Sequence, residues 1–188
     1  MIDFDGVPDQ TVVNTLYSGQ GITFARSDGD SIPAYDWVSI SRITTSPNNV
    51  IATIEGDFIG GSAASVSLSL SAVFAAPTME IGAFFGNDLL GFGGYSRTTL
   101  EIFDAANVSL GSVFVDTNDN TSVDQFIGLR STVPFSRAVF SNNGTTLAVV
   151  LDDVRFTSVP EPGSLLLLTS GILGLAMFKA RIGLRRKD

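Results

Sequence analysis

The 188-residue chain has no histidine and no cysteine, and its only lysines, Lys179 and Lys187, fall within the last ten residues. These absences remove most of the common catalytic repertoire. There is no His general base, no Cys nucleophile, no Cys/His zinc site, no haem His or Cys, and no disulfide. Ser–His–Asp and Ser–Lys pairs are excluded with them. What remains is carboxylates, hydroxyls, amides, six arginines before residue 159 and the backbone, so catalysis would need paired carboxylates or a hard metal held by oxygen. With no disulfide, a packed core must hold the fold, and 44% hydrophobic residues in a chain of this length can supply one.

Positive charge is also scarce outside the C-terminus. Residues 1–158 carry 6 Arg against 17 Asp/Glu, a balance of −11, whereas residues 159–188 carry +3. An acidic region of that size with no basic stripe is repelled by the phosphates that dominate nucleic-acid affinity, so DNA and RNA are not expected partners.

The last thirty residues fall into three zones. Val159-Pro160-Glu161-Pro162-Gly163-Ser164 is followed by a run without charge to Phe178, and then by Lys179, Arg181, Arg185, Arg186 and Lys187. From Gly163 to Phe178 the run has 16 residues, about 24 Å as a helix, and Lys179 and Arg181 are placed to snorkel. A short transmembrane helix over 165–178 is therefore expected. A buried globular helix fits less well, because Leu165 to Leu168 has no polar face. The basic cluster is expected on the cytoplasmic side, with residues 1–158 across the membrane. That orientation requires an export signal. Met1 to Asp5 has neither a basic n-region nor an apolar h-region, so a signal upstream of Met1 is expected, although a tail-anchored cytosolic domain would leave the same sequence.

The order of these zones closely resembles the PEP-CTERM sorting signal of exopolysaccharide-producing Gram-negative bacteria. The resemblance covers residues 159–188 and depends on the combination, since Pro-Glu-Pro alone is weak. It implies that an exosortase in the inner membrane recognises Pro160, Glu161 and Pro162, cleaves near them, and passes the ectodomain to the cell surface or extracellular matrix. Two prolines around Glu161 also favour an extended segment that makes no ladder hydrogen bonds, as a protease-like site would need.

Residues 1–158 read as strands. Ser65 to Phe74 alternates, with Val66, Leu68, Leu70, Ala72 and Phe74 on one face and mostly serines on the other. Further short strands are predicted at 21–25, 50–54, 79–85, 98–103, 109–115, 125–129, 137–141 and 147–156, with a hairpin turn at Asp104 to Asn107. This spacing, with no competing helical pattern, predicts an all-β fold, an antiparallel β-sandwich or jelly roll. The pattern resembles the galactose-binding-like sandwiches often joined to this sorting signal. The resemblance implies an opening strand at Ile2 to Gly6 and a closing one at Leu151 to Phe156. Phe4, Phe24, Phe74, Phe103, Phe114 and Phe140 are expected in the core.

Three groups of residues qualify as candidate sites. Asp116-Thr117-Asn118-Asp119-Asn120 imitates the start of a calcium loop, but Thr121 replaces the required Gly and Ile127 the bidentate Glu, so it reads as a turn. If the first and last strands are neighbours, Asp3 and Asp5 approach Asp152 and Asp153, and a structural Ca²⁺ would relieve their repulsion; surface acids beside Arg155 are the alternative. Tyr35, Asp36 and Trp37 read as a loop able to stack a sugar, or as core. The triplets at Asn107, Asn120 and Asn143 match the glycosylation pattern by chance frequency. The expected protein is a non-enzymatic, exported surface or matrix protein with polysaccharide as its ligand. Its rivals are a carboxylate-dependent glycan hydrolase and a purely structural matrix protein.

Overall fold

The computed structural model describes residues 1–36, 44–53, 68–86, 97–118, 120, 122–143 and 149–159. The chain divides into two compact units, Met1–Ser158 and Val159–Asp188. The expected transmembrane helix, the Pro160-Glu161-Pro162 motif and the basic tail lie outside the described residues, as does Trp37. Among the described residues no helix is long and apolar enough to cross a membrane.

The first unit is all-β and antiparallel. Its strands are β1 (Ile22–Arg26), β2 (Ala34–Asp36), β3 (Asn49–Ala52), β4 (Leu70–Gly86), β5 (Arg97–Phe103), β6 (Ser109–Asp116), β7 (Val123–Asn142) and β8 (Val150–Ser158). One 3₁₀ turn, Ser18–Gln20, precedes β1.

Strands β4 and β7 are much longer than sequence punctuation predicts. The separately expected segments at 65–74 and 79–85 belong to one strand as far as they are described, and so do those at 125–129 and 137–141. The chain passes Pro77 and Pro134 by shifting register. Between the pairs Thr78↔Phe135 and Glu80↔Arg130, β7 runs through Ser131 to Pro134 while β4 passes only Met79. Such irregularities bend a sheet sharply. Before this bend β4 lies between β1 and residues 137–140 of β7; beyond it, β4 lies between β8 and residues 123–135. Register therefore builds two layers, β1-β4-β7-β5-β6 and β2-β3-β8-β4-β7, with β4 and β7 shared, in the manner of a β-sandwich.

Alternation fills the space between the layers. Leu70, Ala72, Phe74, Leu100, Ile102, Ala138 and Phe140 from one layer share a buried cluster with Ile51, Ile81, Ala83, Phe85, Ile127, Leu151 and Val154 from the other. Phe4 and Phe24 join it, stacked edge-on at 5.8 Å. Each such large side chain contributes about 1.5–3 kcal/mol by leaving water. A smaller cluster of Tyr35, Val50, Ala52, Val123 and Val150 gathers apolar side chains from β2, β3, β7 and β8.

Two phenylalanines expected in the core are not there. Phe103 falls on the outward parity of β5, where the Arg137 guanidinium lies 4.2 Å above its ring. Phe114 lies on edge strand β6, 55% exposed, under Arg97 at 3.8 Å. Among the described residues no other strand covers this β6 face, and a cation–π contact takes the place of burial. The β5–β6 hairpin turns where expected. Asp104 Oδ1 accepts the N–H groups of Ala106 and Val108, and Asn107 adopts φ 68°.

Candidate functional site

The two ends of the first unit meet. Ile2 and Val154 exchange backbone hydrogen bonds of 2.8 and 2.9 Å, although Ile2 to Gly6 forms only this bridge and not a full strand. The contact brings Asp3, Asp5, Asp152 and Asp153 to one end, as the sequence suggests.

The carboxylates of Asp5 and Asp152, however, face the protein's own donors. Asp152 is fully buried. It accepts the Ser46 N–H at 2.9 Å, the Thr45 hydroxyl at 2.9 Å, the Ser46 hydroxyl at 2.8 Å and the Asp153 N–H at 2.7 Å. Burial pushes its carboxyl above the usual range, and these donors offset part of that rise. Asp5 accepts the N–H groups of Asn48 and Asn49 at 2.9 and 2.8 Å. Together they tie residues 45–49 to both ends of this unit.

Asp153 sits in a register shift with φ 49°; its Oδ2 accepts from Arg155 at 3.2 Å, and its Oδ1 is buried without a partner. That single oxygen falls far short of the six to eight a calcium ion takes. N–H and O–H dipoles converging on Asp152 also repel a cation. Among the described residues no three acids are grouped to hold a metal. The end is a hydrogen-bonded junction.

Tyr35 and Asp36 belong to β2, not to a loop. Tyr35 is 9% exposed and packs in the smaller cluster, while the Asp36 N–H donates to Asp9 at 2.8 Å. The segment read as a turn rather than a calcium loop lies between β6 and β7. There Asn118 and Asn120 donate to the two oxygens of Asp124 at 2.9 and 3.0 Å.

A different feature stands on the outward face of β8-β4-β7. Strand parity makes three rows across these strands. The middle row is Arg155, Gly82 and Gly128, in direct register. On one side lie Phe84 and Phe126, with centroids 5.4 Å apart; on the other lie Thr157, Glu80 and Arg130. Two facing glycines leave the backbone bare, and the Phe126 ring lies down over them. A Cβ on Gly128 would come within 2.8 Å of that ring, and one on Gly82 would overlap it. The residue nevertheless stays 49% exposed.

The result is a depression of about 370 Å³, lined by Glu80, Gly82, Phe126, Gly128, Arg130 and Arg155 among others. Three strands span roughly 10 Å, and among the described residues no further strand pairs with β7 beside Phe126 and Gly128 or with β8 beyond Val154. Among the described residues the depression is a lane open at both ends. Glu80 receives Arg130 Nε at 3.0 Å and the Thr157 hydroxyl at 3.3 Å. Arg155 also leans over Phe84 at 5.6 Å.

No family model and no curated protein matches the chain. Among solved structures it is similar to the carbohydrate-binding module TmCBM61 in complex with β-1,4-galactotriose (10% identity, 81% of this chain and 100% of that chain, TM-score 0.46). It is also similar to the K2 cleaved adhesin domain of Lys-gingipain (12%, 82% and 96%, 0.49). A third is the family 32 module of C. perfringens NanJ in complex with galactose (11%, 78% and 97%, 0.43).

The lane combines an apolar ring face with hydrogen-bonding groups at its edge, over a floor with no side chains. A pyranose presents the matching surfaces, with C–H groups on its faces and hydroxyls around its rim. Parity could have revealed the lane in the sequence. Gly82 and Phe84 in β4, and Phe126, Gly128 and Arg130 in β7, each repeat at a spacing of two, but their pairing depends on a register that only the fold supplies.

Proposed function

We propose that this chain is an exported surface or matrix protein that binds polysaccharide on the outer β8-β4-β7 face and catalyses nothing. The observation that carries the reading is Phe126, half exposed on the Gly82–Gly128 floor beside Glu80, Arg130 and Arg155. A lane open at both ends takes internal segments of a chain rather than its terminus. Tail residues 159–188 deliver the domain, with an exosortase in the inner membrane reading Pro160, Glu161 and Pro162; the order of motif, apolar run and basic end supports that part.

Among the described residues, the positions of Asp152 and Glu80 favour binding over hydrolysis. A glycosidase needs two carboxyls flanking the bond, one of them protonated near neutral pH. Asp152, whose carboxyl burial raises, is sealed beneath segment 44–49. Glu80 is held by Arg130 and Thr157.

The test is affinity electrophoresis of the full-length chain in detergent through gels containing bacterial or plant polysaccharides. Retardation by at least one polymer, lost in Phe126→Ala with a melting temperature lowered by no more than a few degrees, is the expected result. Equal retardation of the variant would remove the lane from the function. For the tail, replacing Pro160, Glu161 and Pro162 by Ala should leave the full-length protein in the inner membrane of a strain that has its exosortase, and normal release would refute the sorting assignment.

A further inference from the structure

We propose that the polysaccharide held in this lane is acidic, a chain bearing uronate carboxylates, and that Arg155 and Arg130 select it. The proposal rests on the glycan-binding reading above and adds the charge class of the ligand.

It follows from how hydrogen-bonding capacity is spent around the lane. Glu80, the one acid among the described residues that line it, and the neighbouring Asp124 are turned toward protein donors. Glu80 accepts from Arg130 and Thr157 on its two oxygens. Asp124, on the same parity of β7, accepts from Asn118 and Asn120 on its two. Asp153 has one oxygen on Arg155 and the other buried. The arginines are far from exhausted. A guanidinium has five N–H donors and no acceptor, yet Arg155 commits one terminal nitrogen to Asp153 and Arg130 commits Nε to Glu80. Their side chains are 53% and 82% exposed. The lane therefore offers a surplus of charged donors.

A sugar hydroxyl both donates and accepts, so it gains no special advantage there. A carboxylate only accepts, and it matches the guanidinium fork in charge and geometry. Arg155 on β8 and Arg130 on β7 flank β4 from opposite sides, roughly 10 Å apart. Separate uronate residues of one chain lying along the lane would each meet one of them. Asp153 serves as a positioning residue, holding Arg155 over Phe84. The −11 charge of residues 1–158 does not forbid this, because beyond about 8 Å physiological salt screens exposed charges while contact pairs persist.

The experiment compares affinities of the full-length chain in detergent micelles for polygalacturonate, alginate and hyaluronan, and for each polymer after carboxyl reduction to its neutral form. At least one acidic polymer should bind roughly tenfold or more tightly than its reduced form. Arg155→Gln combined with Arg130→Gln should bring the two affinities together, and Phe126→Ala should weaken both. Equal binding of acidic and reduced forms by the wild type would overturn acid selection and leave glycan binding standing. Binding of no polymer in either form would overturn both. If the double arginine variant kept the full preference for acid, these arginines would not be the selecting groups.

Discussion

Two clusters of charged residues share strand β8, and they are built on opposite plans. At the junction of the chain ends, Asp152 is fully buried and each of its oxygens receives donors from segment 45–46 or Asp153. In the Gly82–Gly128 lane, Arg155, Arg130 and Phe126 remain substantially exposed, and the arginines keep donors to spare. A buried polar group must be satisfied internally because leaving it unpaired costs about 1–3 kcal/mol. An exposed one with unused capacity carries no such penalty and is available to a ligand. Acidity and neighbouring end strands made the junction read as a structural calcium site in the sequence, whereas Asp5 and Asp152 here accept hydrogen bonds from residues 45–49.

The sharpest way to break this comparison is to remove Asp152. Asp152→Ala strands the Ser46 and Asp153 N–H groups and two hydroxyls in a buried site. A loss of about 3 kcal/mol is expected, which lowers Tm by roughly 6–12 °C for a domain of this size. Glycan affinity of the protein that remains folded should not change. If polysaccharide binding fell while Tm held, the two clusters would have exchanged roles.

Phe126→Ala should produce the reverse pattern, with an affinity loss of about tenfold or more and a Tm change of only a few degrees, since the residue is already half exposed. Gly82→Ala sharpens the point. Its methyl group occupies the ring's place, so Phe126 must lift and the floor is partly filled. Binding should fall although the aromatic side chain is still present, as a displacement assay against the wild type would show.

A smaller effect separates burial from hydrogen bonding at Asp152. Its folded-state carboxyl is raised above the unfolded value, with burial as the leading cause. Proton linkage therefore adds stability below the unfolded value of about 3.9, and this is lost as pH rises through the folded-state value. Asp152→Asn provides a reference that cannot titrate. In either amide orientation its NH₂ group faces an N–H, because Ser46 donates to one oxygen and Asp153 to the other. The Tm advantage of wild type over this variant should be larger at pH 3.5 than at pH 6.5. A widening with rising pH would mean that the donors outweigh burial.

How much of this was legible in the sequence varies with how local each signal is. Alternation over Leu70 to Phe74 and the Asp104 to Asn107 turn act within a few residues, and both appear in the fold. The bend at Met79 and Ser131 to Pro134 was not legible, because it exists only when β4 and β7 pair out of register. Strand β2 was missed because Ala34–Asp36 is too short to show a period. The pairing of the unit's first segment with its last strand was legible, as Ile2 and Val154 show, but the partners of Asp5 and Asp152, Asn48, Asn49, Thr45 and Ser46, were not, because they come from a segment without a pattern of its own. Likewise, Gly82 and Gly128 are ordinary glycines until register sets them face to face.

The least perturbing test adds calcium. Four acids converging on one end of a domain at −11 would repel if their oxygens faced one another, and a bound ion would then stabilise the fold by RT ln(1 + [L]/Kd). Here Asp5 and Asp152 are neutralised locally by N–H and O–H dipoles, and Asp153 by Arg155. Little repulsion is left to relieve, and a cation entering between these donors would have to displace them. Melts of the full-length chain in EDTA and in millimolar Ca²⁺ should agree to within about 1 °C, equivalent to less than about 0.5 kcal/mol. A rise of several degrees, abolished in Asp3→Ala and in Asp153→Ala, would show that the buried Oδ1 of Asp153 is one ligand of a calcium site and that the junction is a metal centre after all.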